Sequence, residues 1–333
     1  MISVKANNRT VEIPSFWEEL TAGQYIATVD LLQKLMEKQM PLMDFRLKLL
    51  QVLAGYQPSR RYNTHRERIN ENLYLVSELI QFPLKPVYEN PDILSVLSPE
   101  LQALLEFHFP HDITDPKWEG ELRMIRGRIR YAASVNFSMK SNPLPFFEYH
   151  HTKFLGPAFN IDSLGIVETD LKAMEYIDAS EYYQLFQKTR MRRYLDRLVS
   201  TIYRVDRERY KTFECQQKAV LLAAMDESVK HAVLFFFQNI QEFLANHPVY
   251  KYLFQKVESN SGKISLGMVT TVYNLSKEGY GTKQQVSEMG LEDYLNMLLK
   301  TIMDSIRSLK AQKKPDHDIA SELNIPSELI YKV

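Results

Sequence analysis

Within the first thirteen residues apolar positions alternate with polar ones twice, at Ile2 and Val4 and again at Val11 and Ile13. This pattern predicts a hairpin over 2–13, with Asn7-Asn8 as a turn tolerant of positive φ and Pro14 ending the return strand. From Thr21 the period becomes helical, with Tyr25, Val29, Leu32 and Met36 on one stripe. Thr21 and Gln24 have the spacing of a capping box, and Pro41 marks the stop. A second helix is predicted over 43–54, burying Phe45, Leu49 and Val52 and capped by Gly55. A third covers 66–80, with Ile69, Leu73, Val76 and Ile80 facing inward. Ser98-Pro99-Glu100 reads as a helix start, carrying a capping Ser, Pro at the first position and an acid near the positive dipole end. That helix holds Leu101, Leu104 and Leu105. Asp115-Pro116 opens another, predicted to run to about Ala133.

The pattern changes over 134–165, where Pro143, Pro145 and Pro157 sit among Phe146, Phe147, Tyr149, Phe154 and Phe159. This reads as a linker leading into short strands, with a hairpin over 146–159. Helical periodicity resumes near Thr169 and continues to Ser308. The helix from Asp226 to Ala245 is apolar over much of its girth, through Val229, Val233, Phe235, Phe236, Phe237, Ile240 and Leu244. Thr282 and Gln285 repeat the capping-box spacing ahead of a stripe of Leu291, Tyr294, Leu295, Leu298, Ile302 and Ile306. The expected fold class is mainly α, with helical bundle-like halves and small β-hairpins. The expected division is 1–134, 135–312 and a tail segment 313–333. Leu20-Thr21 to Gln24-Tyr25-Ile26 is echoed by Asp170-Leu171 to Glu175-Tyr176-Ile177. Each is followed by a basic-apolar helix, 43–54 and 190–203, that runs out at Tyr56 and Tyr203. A hairpin-helix-helix unit used twice would account for this, as would chance among helices of similar composition.

Composition sharpens the picture at three points. Hydrophobic residues at 45% and charged residues at 25% of 333 fit a folded chain rather than a disordered one. Only 11 Gly against 19 Tyr and 17 Phe disfavours Gly-rich nucleotide loops and suits helix packing or large interfaces. Lys plus Arg (41) balances Asp plus Glu (41), so nucleic acid or an anionic membrane would need a local patch. The single Cys215 cannot form an internal disulfide, the N-terminus lacks a signal-peptide layout, and the apolar run Ala232–Phe237 is too short to span a bilayer. A cytoplasmic location without membrane partners is the expectation.

Candidate chemistry is sparse. His108, His111 and Asp112 flank Pro110, which spoils a helical ligand face, so two polar residues at a helix end is the simpler reading. His150-His151 would point to opposite faces of a strand. Cys215 lies in an ordinary helical setting with no local nucleophile signature. Glu18-Glu19 and Glu292-Asp293 suit helix starts. No catalytic, metal or cofactor residue is assigned, and a non-enzymatic protein is expected. Between Lys188 and Lys211 nine Lys or Arg face three acids. Arg190, Arg193, Arg197 and Arg204 recur at intervals that line one helix face, with Tyr194 and Tyr203 interleaved. That is a candidate basic surface for phosphate, for an acidic protein or for plain solvation. A shorter cluster, Arg123, Arg126, Arg128 and Arg130, is equally open. The apolar stripes are ordinarily core; read as docking faces, they make Phe235, Phe236, Phe237, Ile240, Leu291, Leu295 and Leu298 the candidate partner-binding residues.

Four segments carry a family resemblance: Ile13–Ile26 (IPSFWEELTAGQYI), Leu171–Tyr183 (LKAMEYIDASEYY), Ser228–Leu244 (SVKHAVLFFFQNIQEFL) and Tyr280–Leu298 (YGTKQQVSEMGLEDYLNML). They resemble bacteriophage or prophage tail-region proteins, in particular tail assembly chaperones. The resemblance implies a non-enzymatic factor, without cofactors, that keeps apolar helices of a tape-measure protein soluble and delivers them to tail-tube subunits. Its partners would be other phage tail or virion proteins. Aromatic and Met-rich surfaces suit weak, releasable binding, which directs attention to Met174, Met225, Met268, Met289, Met297 and Met303. A virion component such as a neck, connector or baseplate adaptor is the alternative. A helical nucleic-acid-binding protein using 188–211 is a further one.

Overall fold

Thr21 initiates the first helix as its spacing predicts. Its backbone N–H donates to Gln24 Oε1 at 3.0 Å while its hydroxyl accepts from the Gln24 N–H at 3.3 Å. The computed structural model describes residues 1–6, 9–55, 66–207, 209–254, 267–323 and 325–333. Asn7-Asn8 and Tyr56 lie outside the described residues, as do the side chains of Ile69 and Met268. The chain is mainly α-helical with small two-stranded hairpins, and it divides into two compact units, Met1–Met139 and Lys140–Val333.

In the first unit β1 (Ile2–Ala6) pairs antiparallel with β2 (Arg9–Ile13), bringing Ile2 opposite Ile13. The helices α1 (Ala22–Met36) and α2 (Leu42–Ala54) follow. Tyr25, Val29 and Leu32 are buried between them with Phe45 and Leu49, whereas Met36, expected on the same stripe, is exposed at the helix end. Gln24 also donates to the Leu53 carbonyl at 3.0 Å, tying the start of α1 to the end of α2. Gly55, at φ 62°, ends α2 in the left-handed conformation that glycine adopts without strain. Helix α3 (Arg66–Ser77) comes next.

Two expectations fail in this unit. The turn opened by Pro116 leads into a short helix, α5 (Glu119–Ile125), that ends there, and Tyr131–Val135 is a strand, β4, paired with β3 (Leu84–Tyr88). The turn at Gly127, at φ 78°, separates them. Pro86 sits in β3, which a two-stranded ladder tolerates because both strands are edges. The Arg123, Arg126, Arg128 and Arg130 cluster therefore spans a helix end, a turn and a strand approach rather than one helix. Ser98 does precede α4 (Pro99–Leu105), yet its hydroxyl and N–H bind Glu121 instead of capping the helix. Behind these elements Leu97, Leu101, Leu105, Trp118 and Ile125 form one apolar cluster. Trp17 forms another contact centre, edge-on to Phe82 at 5.0 Å, with its indole N–H donated to the Asn136 carbonyl.

The second unit opens on two hairpins where one was expected: β5 (Phe146–Tyr149) with β6 (Thr152–Leu155), and β7 (Phe159–Ile161) with β8 (Val167–Thr169). His150 and His151, both at positive φ, form the first turn rather than a strand pair. Phe147 stacks on Phe154 at 5.1 Å and on Tyr203 at 5.2 Å. Gly156 lies against that stack, where an added Cβ would come within 2.7 Å of the Tyr203 ring.

The helices α6 (Ala173–Thr189), α7 (Arg192–Ile202), α8 (Thr212–Leu222) and α9 (Glu227–Asn246) then pack α6 on α7 and α7 on both α8 and α9. Helices α10 (Lys251–Phe254), α11 (Gly267–Lys277), α12 (Lys283–Glu288) and α13 (Leu291–Ala311) follow. The starts of α6 and α13 are stitched by backbone: Ala173 N–H to Met289 O and Leu291 N–H to Leu171 O, each 2.8 Å. Lys313 onward is not a separate tail. Helices α14 (Asp316–Leu323) and α15 (Ser327–Lys332) bury Ile319, Leu329 and Ile330 against Ile306 and Tyr252. The compact second unit thus begins at 140 and includes these residues. No helix among the described residues is long and apolar enough to cross a membrane.

Three helices start on one grammar. Thr21, Lys172 and Gly290 precede the first turns of α1, α6 and α13, with Gln24, Glu175 and Asp293 three positions on. The next residue in each case, Tyr25, Tyr176 and Tyr294, is wholly buried.

Candidate functional site

The proposed docking residues on α9 and α13 are interior. Phe235, Phe236, Phe237 and Ile240 are at most 6% exposed, Leu291 and Leu295 at most 2%, and Leu298 is half-buried. Phe237 lies 6.0 Å from the Tyr176 ring and 5.9 Å from Tyr183, and Phe236 meets Phe159 edge-on. The helix is apolar over much of its girth because α6, α7 and the β7–β8 hairpin pack against it. Apart from the half-buried Leu298, these side chains offer no surface to a partner in this conformation.

The basic stripe also divides. Arg190 and Arg193 are exposed, Arg197 is half-buried, and Arg204 is buried inside the second unit. Arg204 follows the end of α7, where its backbone forms an isolated antiparallel bridge with Leu155 of β6. Its guanidinium meets the wholly buried Glu175 carboxylate, Nη2 to Oε2 at 3.1 Å. Arg207 reaches the same carboxylate at 2.7 Å and Asp170 at 2.9 Å. Both arginines also donate to carbonyls, Arg204 to Arg209 O at 2.6 Å and Arg207 to Ile202 O at 2.8 Å. Burial raises the Glu175 carboxyl above its ordinary value, opposed by the two guanidiniums and by the Lys172 N–H. Burial works against the Arg207 charge as well, but Glu175 and Asp170 together hold its pKa above the ordinary value. Two cations and two anions thus saturate one another. The cluster clamps Arg204 and Arg207 to the start of α6 and leaves its charges already matched.

The neighbouring polar groups are closed in the same way. Tyr210 and Thr212 both donate to Asp178, at 2.6 and 2.7 Å. Lys230, 1% exposed, sits 2.7 Å from Asp196 and donates to the Ala223 carbonyl. Burial pushes the Cys215 thiol up to about 11, the direction that quenches a nucleophile. An open groove of about 470 Å³ runs along α13 past Glu278, Asp304 and Glu322. Each of these acids already has a partner, in Thr301, Arg307 and Lys314. Among the described residues no group of three or more His, Cys, Asp or Glu is arranged to hold a metal.

In the first unit His108 Nδ1 lies 3.0 Å from Gln81 Oε1, while His111 contacts the Tyr131 hydroxyl at 3.0 Å and Asp112 at 3.3 Å. The Asp112 side chain is 4% exposed, and its Oδ2 has no hydrogen-bond partner. Burial raises its carboxyl pKa, against the opposing pull of His111, Arg46 and His108, with Glu78 adding to the rise. A carboxyl that binds its proton more tightly when folded stabilises fully below its unfolded value and loses that contribution as pH rises through the folded one. Asp112→Asn is therefore expected to be more stable than wild type at pH 7, with the gain vanishing near pH 3. Urea midpoints across that range check this; a variant weaker than wild type at pH 7 contradicts it.

Among the described residues that expose large apolar side chains, α8 carries a continuous outward stripe. Along α8, Cys215, Ala219 and Leu222 point inward, while Phe213 (70% exposed), Val220 (76%) and Leu221 (66%) point outward. Gln217 and Ala224 extend the outward side. The helix is apolar on two opposite faces, and only one of them has a core to cover it. Sequence reasoning passed over this face, although the signal was present: Phe213, Val220 and Leu221 recur at seven and eight residues, beside the Cys215 stripe. The methionines show a similar displacement. Met225 is buried and Met174, Met289, Met297 and Met303 are half-buried, whereas Met36, Met43, Met124 and Met191 are exposed. The chain matches no family model, no curated protein and no solved structure.

Proposed function

We propose that this chain is a non-enzymatic phage tail assembly factor that seats an apolar helix of a tail protein on the outward face of α8. The observation that carries the reading is the exposure of Phe213, Val220 and Leu221 on a helix whose other face is already packed. The stripe runs over about two helical turns, roughly 12 Å, which suits a helix laid alongside. An apolar seat of this size grips reversibly, as a factor that must release its cargo requires. The mutual saturation of the Glu175, Asp178 and Lys230 clusters also favours a binding role, because these groups already spend their charges and hydrogen bonds on one another. The sequence resemblance supplies the cargo: the apolar helices of a tape-measure protein.

The test is co-expression with the tape-measure protein of the same tail, comparing wild type with Phe213→Ser/Val220→Ser/Leu221→Ser. Each of these side chains is worth about 1.5–3 kcal/mol when fully buried, so capture should fall at least tenfold. The triple variant should melt where wild type does, since its changes lie in solvent. Undiminished capture overturns the reading. Capture that persists in mature particles points instead to a virion component such as a neck, connector or baseplate adaptor.

A further inference from the structure

We infer that the helix seated on α8 is acidic along one flank, the flank that faces the arginines of α7; this rests on the docking reading above. The two sides of the α8 stripe differ in their charges. On one side Lys211 is paired with Glu214 at 2.7 Å, and Lys218, one turn on, also attracts that carboxylate, so one acid tempers both cations there. On the other, Gln216 donates to the Tyr182 hydroxyl at 3.1 Å, and the Arg197 guanidinium lies over that same Tyr182 ring, 5.8 Å from its centroid. Tyr182 thus bridges the α8 flank to the outward side of α7.

Arg193 stands one turn before Arg197, so both occupy one side of α7, about 6 Å apart along the axis. Its guanidinium lies over Tyr194, 4.8 Å from the centroid, and donates to that hydroxyl. Among the described residues neither Arg193 nor Arg197 forms an ion pair with a carboxylate, in contrast to Arg192, which reaches Glu227 at 3.5 Å. Aromatic rings hold the two cations in place without neutralising them. An apolar stripe with fixed, unspent guanidiniums along one edge matches an amphipathic helix carrying Asp or Glu at positions three or four apart beside its apolar seat. A phosphate backbone would leave Phe213, Val220 and Leu221 without a use, so the arrangement favours protein over nucleic acid.

Three synthetic helical peptides test this with the full chain. All carry one apolar stripe, and the flanking positions are Glu, Gln or Lys; binding is read by fluorescence anisotropy. The Glu peptide is expected to bind about tenfold tighter than the Lys peptide. That preference should shrink in high salt and vanish in Arg193→Gln/Arg197→Gln, while the Gln peptide binds both proteins alike. Equal binding of all three peptides, abolished by Phe213→Ser/Leu221→Ser, overturns the charge inference and leaves the docking face standing. Peptide binding that is indifferent to Phe213→Ser/Leu221→Ser, or absent, overturns the docking face itself. Duplex DNA that binds tighter than the Glu peptide and loses affinity in Arg193→Gln/Arg197→Gln also overturns the inference.

Discussion

Replacing Glu175 by alanine is expected to destabilise the 140–333 unit by about 3–5 kcal/mol, the loss typical of breaking a buried ion pair by removing one partner. Glu175 is 0% exposed and accepts from two guanidiniums, themselves only 3% and 12% exposed. Without it Arg204 loses its carboxylate and stays buried, with only the Arg209 and Arg207 carbonyls as acceptors. Arg207 retains Asp170, so the damage concentrates on Arg204 and on its backbone bridge to Leu155. The Lys172 N–H at the start of α6 is also orphaned, since it donates to Glu175 at 3.2 Å. Urea unfolding followed by helix signal should show a lower midpoint at an unchanged slope. A loss under 1 kcal/mol would mean that the cluster relaxes into solvent and does not clamp Arg204 and Arg207.

The second large effect separates core from surface. Phe237→Ala should cost about 3–5 kcal/mol, the range for truncating a buried aromatic. Its ring is wholly buried beside Tyr176 and Tyr183, so truncation leaves a cavity at that contact. By contrast, truncating Leu221, 66% exposed, should leave the melting temperature almost unchanged. Phe237→Ala removes six carbons and Leu221→Ala three, a difference in size too small to account for a large effect against none. Burial is what separates them, so equal melting temperatures for the two variants would contradict the assignment of α9 to the interior.

Local features were readable from sequence, and non-local ones were not. The capping boxes at Thr21–Gln24 and Thr282–Gln285 form as spaced, because all their partners lie within one turn. The hairpin-then-helices order is present in both units for the same reason. Strand β4 was missed because its partner β3 lies more than forty residues earlier, and the pairing decides its conformation. His150-His151 carry no turn signature, yet the Phe147–Phe154 pair fixes the register that forces them into the turn. Arg204 looked solvated because its neutralising acid, Glu175, is 29 residues away. The α9 stripe resembled an interface because periodicity reports an apolar face without reporting what covers it. On α8 the same ambiguity ran the other way, where a second stripe lay behind an unremarkable cysteine.

The docking role of α8 is tested most directly by photo-crosslinking from single positions. A photoreactive residue at Leu221 should crosslink the co-expressed tape-measure protein, and one at Ile240, buried in α9, should not. Crosslinks from Ile240 with none from Leu221 would contradict the account, because they would require α9 to open and serve as the seat.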